Sequence, residues 1–82
     1  MQYLITFKTL TQAQRASRLL ERAGHTVSIR RVPPDLSRSG CGYAITLRKS
    51  AYDAVERLKT NGLWTGKLFR REGEGAFQEV LP

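Results

Sequence analysis

The stretch QYLITFKTLTQAQRASRLLERAG, residues 2–24, decides the fold because its periodicity changes from that of a strand to that of a helix. Residues 2–7 alternate between two faces, which is typical of a half-buried strand. Apolar side chains then recur at helical spacing, at Leu10, Ala13, Ala16, Leu19, Leu20 and Ala23. Thr9 or Thr11 can cap the start of this helix, and Gly24 suits the left-handed residue that ends one.

After residue 24, the strand–helix pattern occurs a second time, and one additional strand lies between the two strand–helix pairs. Residues 26–32 and 43–48 alternate as strands do, and the segment between them is rich in turn formers. Ser50 followed by Asp53 resembles a capping box with a shorter acid, which predicts a second helix. Residues 64–71 complete the set as a fourth strand.

The element order is therefore βαββαβ, which predicts an α+β fold of the ferredoxin-like type. This fold is a two-layer sandwich with an antiparallel sheet in strand order 4-1-3-2, two helices on one face and the other face open. We assign residues 1–71 to a single ferredoxin-like domain and residues 72–82 to a C-terminal tail. The tail is either flexible or docked through Phe77, Val80 and Leu81.

The composition excludes several classes of protein. The chain has 82 residues and one cysteine, so it is one small domain and not a disulfide scaffold. No apolar run approaches the ~20 residues of a membrane span, and no signal peptide is visible, so we expect a cytoplasmic protein. The formal charge is +7, and residues 1–49 carry all of this excess because residues 50–82 are balanced.

The lone cysteine lies in Ser39-Gly40-Cys41-Gly42, the one short segment whose residues suggest a reactive side chain. Glycines on both sides remove neighbouring side chains and permit positive φ, which leaves a thiol open to approach. They also let backbone N–H groups turn toward a negative sulfur. The competing interpretation is that Cys41 is a small buried hydrophobe, as free cysteines often are.

The predicted topology surrounds Cys41 with positive charge. The third strand runs opposite to the first, so its start lies beside the end of the first strand and the start of the first helix. We therefore expect Lys8, Arg31, Arg38 and the amino end of that helix near Cys41. Each of these groups favours the thiolate, which is the nucleophilic form of a thiol whose ordinary pKa is about 8.5. The same groups suit a persulfide or selenide anion.

Enzymatic catalysis finds little support in the sequence. His25 is the only histidine, and the predicted topology puts it at the end of the sheet opposite to Cys41, which argues against a Cys–His dyad. One cysteine and one histidine are too few ligands for a typical zinc site, and the sequence contains no glycine-rich phosphate-binding motif. We therefore expect no metal, no cofactor and no enzyme activity.

Four segments in order resemble a known family: YLITF at 3–7, LERAG at 20–24, VP at 32–33 and SGCGYA at 39–44. Together they resemble the family named "putative selenium/sulfur carrier protein-like", small bacterial domains of unknown function. The resemblance covers roughly residues 2–71. It implies that Cys41 holds sulfur or selenium as a persulfide or selenosulfide. Its partners would be a donor enzyme, such as a cysteine desulfurase, and an acceptor protein.

Two other functions stay open. The βαββαβ order is shared with RNA-binding modules, and a charge of +7 suits phosphate. Those modules stack bases on aromatic residues of the open face, whereas Tyr3, Phe7 and Tyr43 are expected to face the helices. The open face would instead present residues such as Leu4 and Ala44, so RNA binding ranks second. A regulatory or assembly module that forms a homodimer, with Cys41 merely structural, is the third possibility.

Overall fold

A computed structural model of the chain describes residues 1–33, 42–64 and 66–80. The elements in these ranges are β1 (Gln2–Phe7), α1 (Leu10–Arg22), β2 (Ser28–Arg31), β3 (Tyr43–Leu47), α2 (Ala51–Thr60), β4 (Leu68–Arg71) and β5 (Gln78–Val80). The strands form one antiparallel sheet in the order β2-β3-β1-β4-β5. This confirms the predicted α+β ferredoxin-like sandwich and the order 4-1-3-2, with β5 added beyond β4.

Helix α1 begins and ends where its sequence predicts. The hydroxyl of Thr9 accepts a hydrogen bond from the backbone N–H of Gln12 at 3.1 Å, so one unpaired amide of the first turn is satisfied. After the helix, Gly24 adopts a φ of +93°, which glycine tolerates best. One position of the apolar stripe differs from expectation, because the side chain of Leu10 is 41 % exposed at the start of the helix.

The predicted capping box of α2 is wrong. Ser50 precedes the helix with a φ of 59° and a ψ of 33°, and its side chain makes no capping hydrogen bond. A capping residue needs an extended backbone for its side chain to reach the first turn, and a left-handed residue lacks that geometry. The carboxylate of Asp53 instead contacts His25 and Arg57, both at 2.9 Å.

The main core lies between the sheet and the two helices. It contains Ile5, Phe7, Ala13, Ala16, Leu20, Ile45, Leu47, Ala51, Ala54, Val55, Leu58 and Leu68. Tyr3 and Tyr43 pack against this cluster, which confirms that the aromatic residues of β1 and β3 face the helices. They are therefore not on the sheet face that RNA-binding modules of this fold use.

The second face of the sheet is not open as expected. Leu4 and Ala44, expected to be exposed there, are fully buried, and they form a second apolar cluster with Val32 and Phe69. Phe77, which precedes β5, packs against this cluster. The prediction failed because the alternation of residues along one strand does not reveal whether side chains from other segments bury its second face.

Strand β4 is shorter than the predicted 64–71 because the β1–β4 ladder changes at Thr6. The N–H of Thr6 donates to the carbonyl of Lys67 at 2.9 Å, but the N–H of Lys67 donates to the hydroxyl of Thr6 at 2.8 Å. The backbone of Gly66 lies so close to Thr6 that a Cβ on Gly66 would be 1.8 Å from the carbonyl oxygen of Thr6. Regular pairing therefore begins at Leu68.

Residues 78–80 pair with β4 as the edge strand β5, which the sequence did not predict. Lys67 and Glu79 add an exposed ion pair of 3.5 Å across this edge. The assignment of residues 72–82 to a separate tail stays a prediction, and β5 lies within that segment.

Candidate functional site

The candidate site is the corner of the sheet where Gly42 lies between the ends of β1 and β2. The N–H of Gly42 donates to the carbonyl of Phe7 at 3.1 Å, and its carbonyl accepts from the N–H of Val32 at 3.2 Å. These two bonds fix the chain at the residue that directly follows Cys41. The other predicted site residues, Arg38, Ser39, Gly40 and Cys41, lie outside the described residues.

Two predicted cationic residues meet at the Gly42 corner. Lys8 directly follows β1, and its carbonyl oxygen lies 3.9 Å from where a Cβ on Gly42 would be. Arg31 is the last residue of β2 and pairs with Tyr43, the first residue of β3. Its guanidinium lies 5.3 Å from the centre of the Tyr43 ring, within the range of a cation–π contact. Both cationic side chains are exposed.

The amino end of α1 lies at the same corner, because Thr9 follows β1 after a single intervening residue. The unpaired N–H groups of a helix start carry partial positive charge. Lys8, Arg31 and the helix start therefore give the Gly42 corner a positive electrostatic bias. The action of Lys8 and Arg31 on the Cys41 sulfur, and any contribution of Arg38, stay predictions.

His25 lies at the opposite end of the sheet from Gly42. Its side chain is 8 % exposed, and its Nε2 lies 2.9 Å from the carboxylate of Asp53 near the start of α2. The hydrogen bond from Arg57, and then that from His25, hold the pKa of Asp53 below its ordinary value of 3.8. His25 therefore joins the end of α1 to the start of α2.

Sequence reasoning missed this contact between His25 and Asp53. The four-residue spacing of Asp53 and Arg57 could have indicated their ion pair, since such positions are neighbours on a helix. No local pattern joins His25 to Asp53, because 28 residues separate them along the chain.

A polar groove opens beside the His25 end of the sheet. It is lined by Gln2, Ala23, Gly24, His25, Thr26, Ser28, Thr46, Leu47, Arg48, Lys49, Ser50 and Asp53.

Within residues 1–33, 42–64 and 66–80, no group of three or more His, Cys, Asp or Glu side chains is arranged to hold a metal ion. No helix in those same ranges is both long and apolar enough to cross a bilayer.

Comparison with known proteins identifies the family. The model of the family described as "Putative Se/S carrier protein-like" matches residues 2–70, a range that contains both helices and all but the last residue of β4. Searches of curated proteins and of solved structures found no significant match. Because the matched range covers most of the chain and includes the Gly42 corner, the chain belongs to the Se/S carrier protein-like family.

Proposed function

We propose that this protein carries sulfur or selenium on Cys41, as a persulfide or a selenosulfide. The geometry of Gly42 carries the proposal. Gly42 directly follows Cys41 and is held by backbone hydrogen bonds to Phe7 and Val32. The backbone of Lys8 and the end of β2 at Arg31 lie beside it, and both residues are exposed. Positive charge favours a sulfur anion, and an accessible anion is what chalcogen transfer requires.

Loading by a cysteine desulfurase conserves atoms and electrons. The Cys41 thiolate attacks the outer sulfur of the persulfide on the donor enzyme. A sulfur–sulfur bond forms at Cys41 as the one on the donor breaks, and the donor cysteine leaves as a thiolate. Transfer to an acceptor thiolate repeats the exchange in the same manner, so neither step needs an outside oxidant or reductant.

Selenium fits the same scheme, with a selenosulfide on Cys41 and a donor that releases selenium from selenocysteine. In this role the chain is a carrier and not an enzyme, since a donor and an acceptor protein supply the chemistry on either side. Such exchange needs free thiols, which a reducing cytoplasm maintains. We therefore place the protein there.

Loading can be tested by intact mass. The protein is incubated with a cysteine desulfurase and L-cysteine, and we expect its mass to rise by one sulfur atom. The increase should disappear on treatment with dithiothreitol, because a thiol reductant removes sulfane sulfur.

Cys41→Ser is the matched control, since it removes the only thiol of the chain and keeps a similar side-chain volume. It should show no adduct while its thermal unfolding stays close to that of the wild type. A wild-type protein that gains no reducible sulfur, although the desulfurase turns over, would contradict the carrier function.

A further inference from the structure

Five exposed cationic side chains lie at the Gly42 corner and along the solvent-facing side of α1. Arg15, Arg18 and Arg22 recur at three- and four-residue spacing on α1, and all three are exposed. The buried residues of this helix lie on its opposite side, so the three guanidinium groups project away from the core. With Lys8 and Arg31 at the corner, they make up what we call the basic surface.

The described structure contains little that neutralises this surface. Within residues 1–33, Glu21 is the sole acidic side chain. Glu21 is exposed, and its carboxylate accepts a hydrogen bond at 3.4 Å from Ser17, the buried residue one turn earlier in the helix. Among the residues that the structure describes, no ion pair involves a member of the basic surface.

We infer that the basic surface is where the sulfur donor docks, through an acidic surface of that protein. The inference rests on the proposed function. Transfer requires the donor thiol to reach Cys41, and the basic surface begins at the corner that holds the next residue, Gly42. Opposite charges speed up association and orient the partners, and a contact made mainly by exposed charges still dissociates readily. A carrier that must leave each partner after one exchange needs both properties.

Two observations favour a protein over a nucleic acid as the partner. Leu10 is 41 % exposed at the first residue of α1, so an apolar contact point lies next to the charges at the Gly42 corner. Protein interfaces combine such an apolar point with a polar rim. Single-stranded RNA needs exposed aromatic faces, whereas Arg31 lies over the ring of Tyr43 at this corner.

The test measures how fast a cysteine desulfurase loads Cys41 when charges are removed from α1. The variant Arg15→Gln/Arg18→Gln/Arg22→Gln keeps good helix formers. We expect its second-order loading rate to fall about tenfold at low ionic strength, the order of electrostatic steering. The difference should shrink toward nothing near ~0.5 M salt, where screening acts over a few ångströms.

The matched control removes the same charge elsewhere. Arg48→Gln/Lys49→Gln/Lys59→Gln alters three exposed cations outside the basic surface, and none of them forms an ion pair among the described residues. Its loading rate should stay within about twofold of the wild type. Iodoacetamide should alkylate Cys41 equally fast in both triple variants, which shows that the fold and the thiol are intact. A slower rate in the α1 variant alone then reports docking.

Three results would overturn the inference. Equal loading rates for both variants would mean that the arginines of α1 do not dock the donor, while the proposed function would stand because the wild type is loaded. A wild type that is never loaded would remove the proposed function and this inference with it. If single-stranded RNA binds the wild type at physiological salt and the α1 variant loses that binding without any change in loading, the occupant is RNA.

Discussion

At the scale of single residues, the closest backbone approach among the described glycines joins Gly66 to β1. A Cβ at this position would lie 1.8 Å from the carbonyl oxygen of Thr6 and 2.6 Å from its hydroxyl oxygen. The obstacle is mainly backbone of a central strand, which cannot move aside as a flexible side chain can. The hydroxyl of Thr6 is fully buried, and it depends on the same approach for its bonds to Lys67.

Gly66→Ala should therefore lower the free energy of unfolding by about 3 kcal/mol, as overpacking against a rigid neighbour does. Urea denaturation measures the change. Gly75→Ala is the matched control, because its Cβ would meet the nearest atom at an ordinary 3.4 Å. If both variants unfold at the same urea concentration as the wild type, the close approach of Gly66 to Thr6 is wrong.

The contacts of Asp53 predict a pH-dependent stability. Hydrogen bonds from Arg57 and then His25 hold its pKa below 3.8 in the folded protein, so the folded state favours the ionised carboxylate. The stabilisation is present above about pH 3.8 and is lost as the pH falls through the lower folded-state pKa. Asp53→Asn should lower the melting temperature at pH 7 and have little effect below that folded-state value.

Thermal melts of both proteins from pH 7 downward measure this difference. Glu56→Gln removes an exposed carboxylate from the same helix and serves as the control. A loss of stability in Asp53→Asn that is constant across the pH range would show that the charge of Asp53 is not the cause.

At the scale of elements, the last described strand extends the sheet, and the phenylalanine before it adds to the apolar cluster on the face that the sequence predicted to be open. Strand β5 pairs with β4, and Phe77 just before it packs against the cluster that contains Leu4 and Phe69. The guanidinium of Arg71 lies 4.4 Å from the centre of the Phe77 ring. The family match ends at residue 70, so Phe77 and β5 lie beyond the matched range.

Phe77→Ala should lower the free energy of unfolding by about 1–2 kcal/mol, less than for a fully buried phenylalanine because the ring is only partly buried. Chemical denaturation measures this change, with Glu74→Ala as an exposed control in the same segment. A variant as stable as the wild type would mean that residues 72–80 contribute nothing to the second cluster.

The elements that sequence reasoning recovered are those with a local signal. Helix α1 has a capping threonine and a terminal glycine, so its bounds follow from residues 9–24 alone. Strand β5 has three residues and no period, so it forms only because β4 provides an edge. The start of β4 depends on the distant hydroxyl of Thr6, which no local pattern reveals.

At the scale of the whole molecule, topology brings the candidate site together. Antiparallel pairing of β1 with β3 and of β3 with β2 puts Lys8, Arg31 and Gly42 at one corner, although 34 positions separate Lys8 from Gly42 in the printed numbering. The strand order therefore sufficed to predict this meeting. His25 shows the limit of such reasoning, because its contact with Asp53 depends on how two helix ends meet and not on strand order.

The most direct test of the account is the pH dependence of the rate at which iodoacetamide alkylates the folded protein. Its single cysteine makes the signal unambiguous. We expect rapid alkylation with an apparent pKa below the ordinary value of about 8.5, and a higher pKa in Lys8→Gln/Arg31→Gln. A thiol that reacts only after unfolding, or whose pKa is about 8.5 or above and is unaffected by these substitutions, would contradict the account.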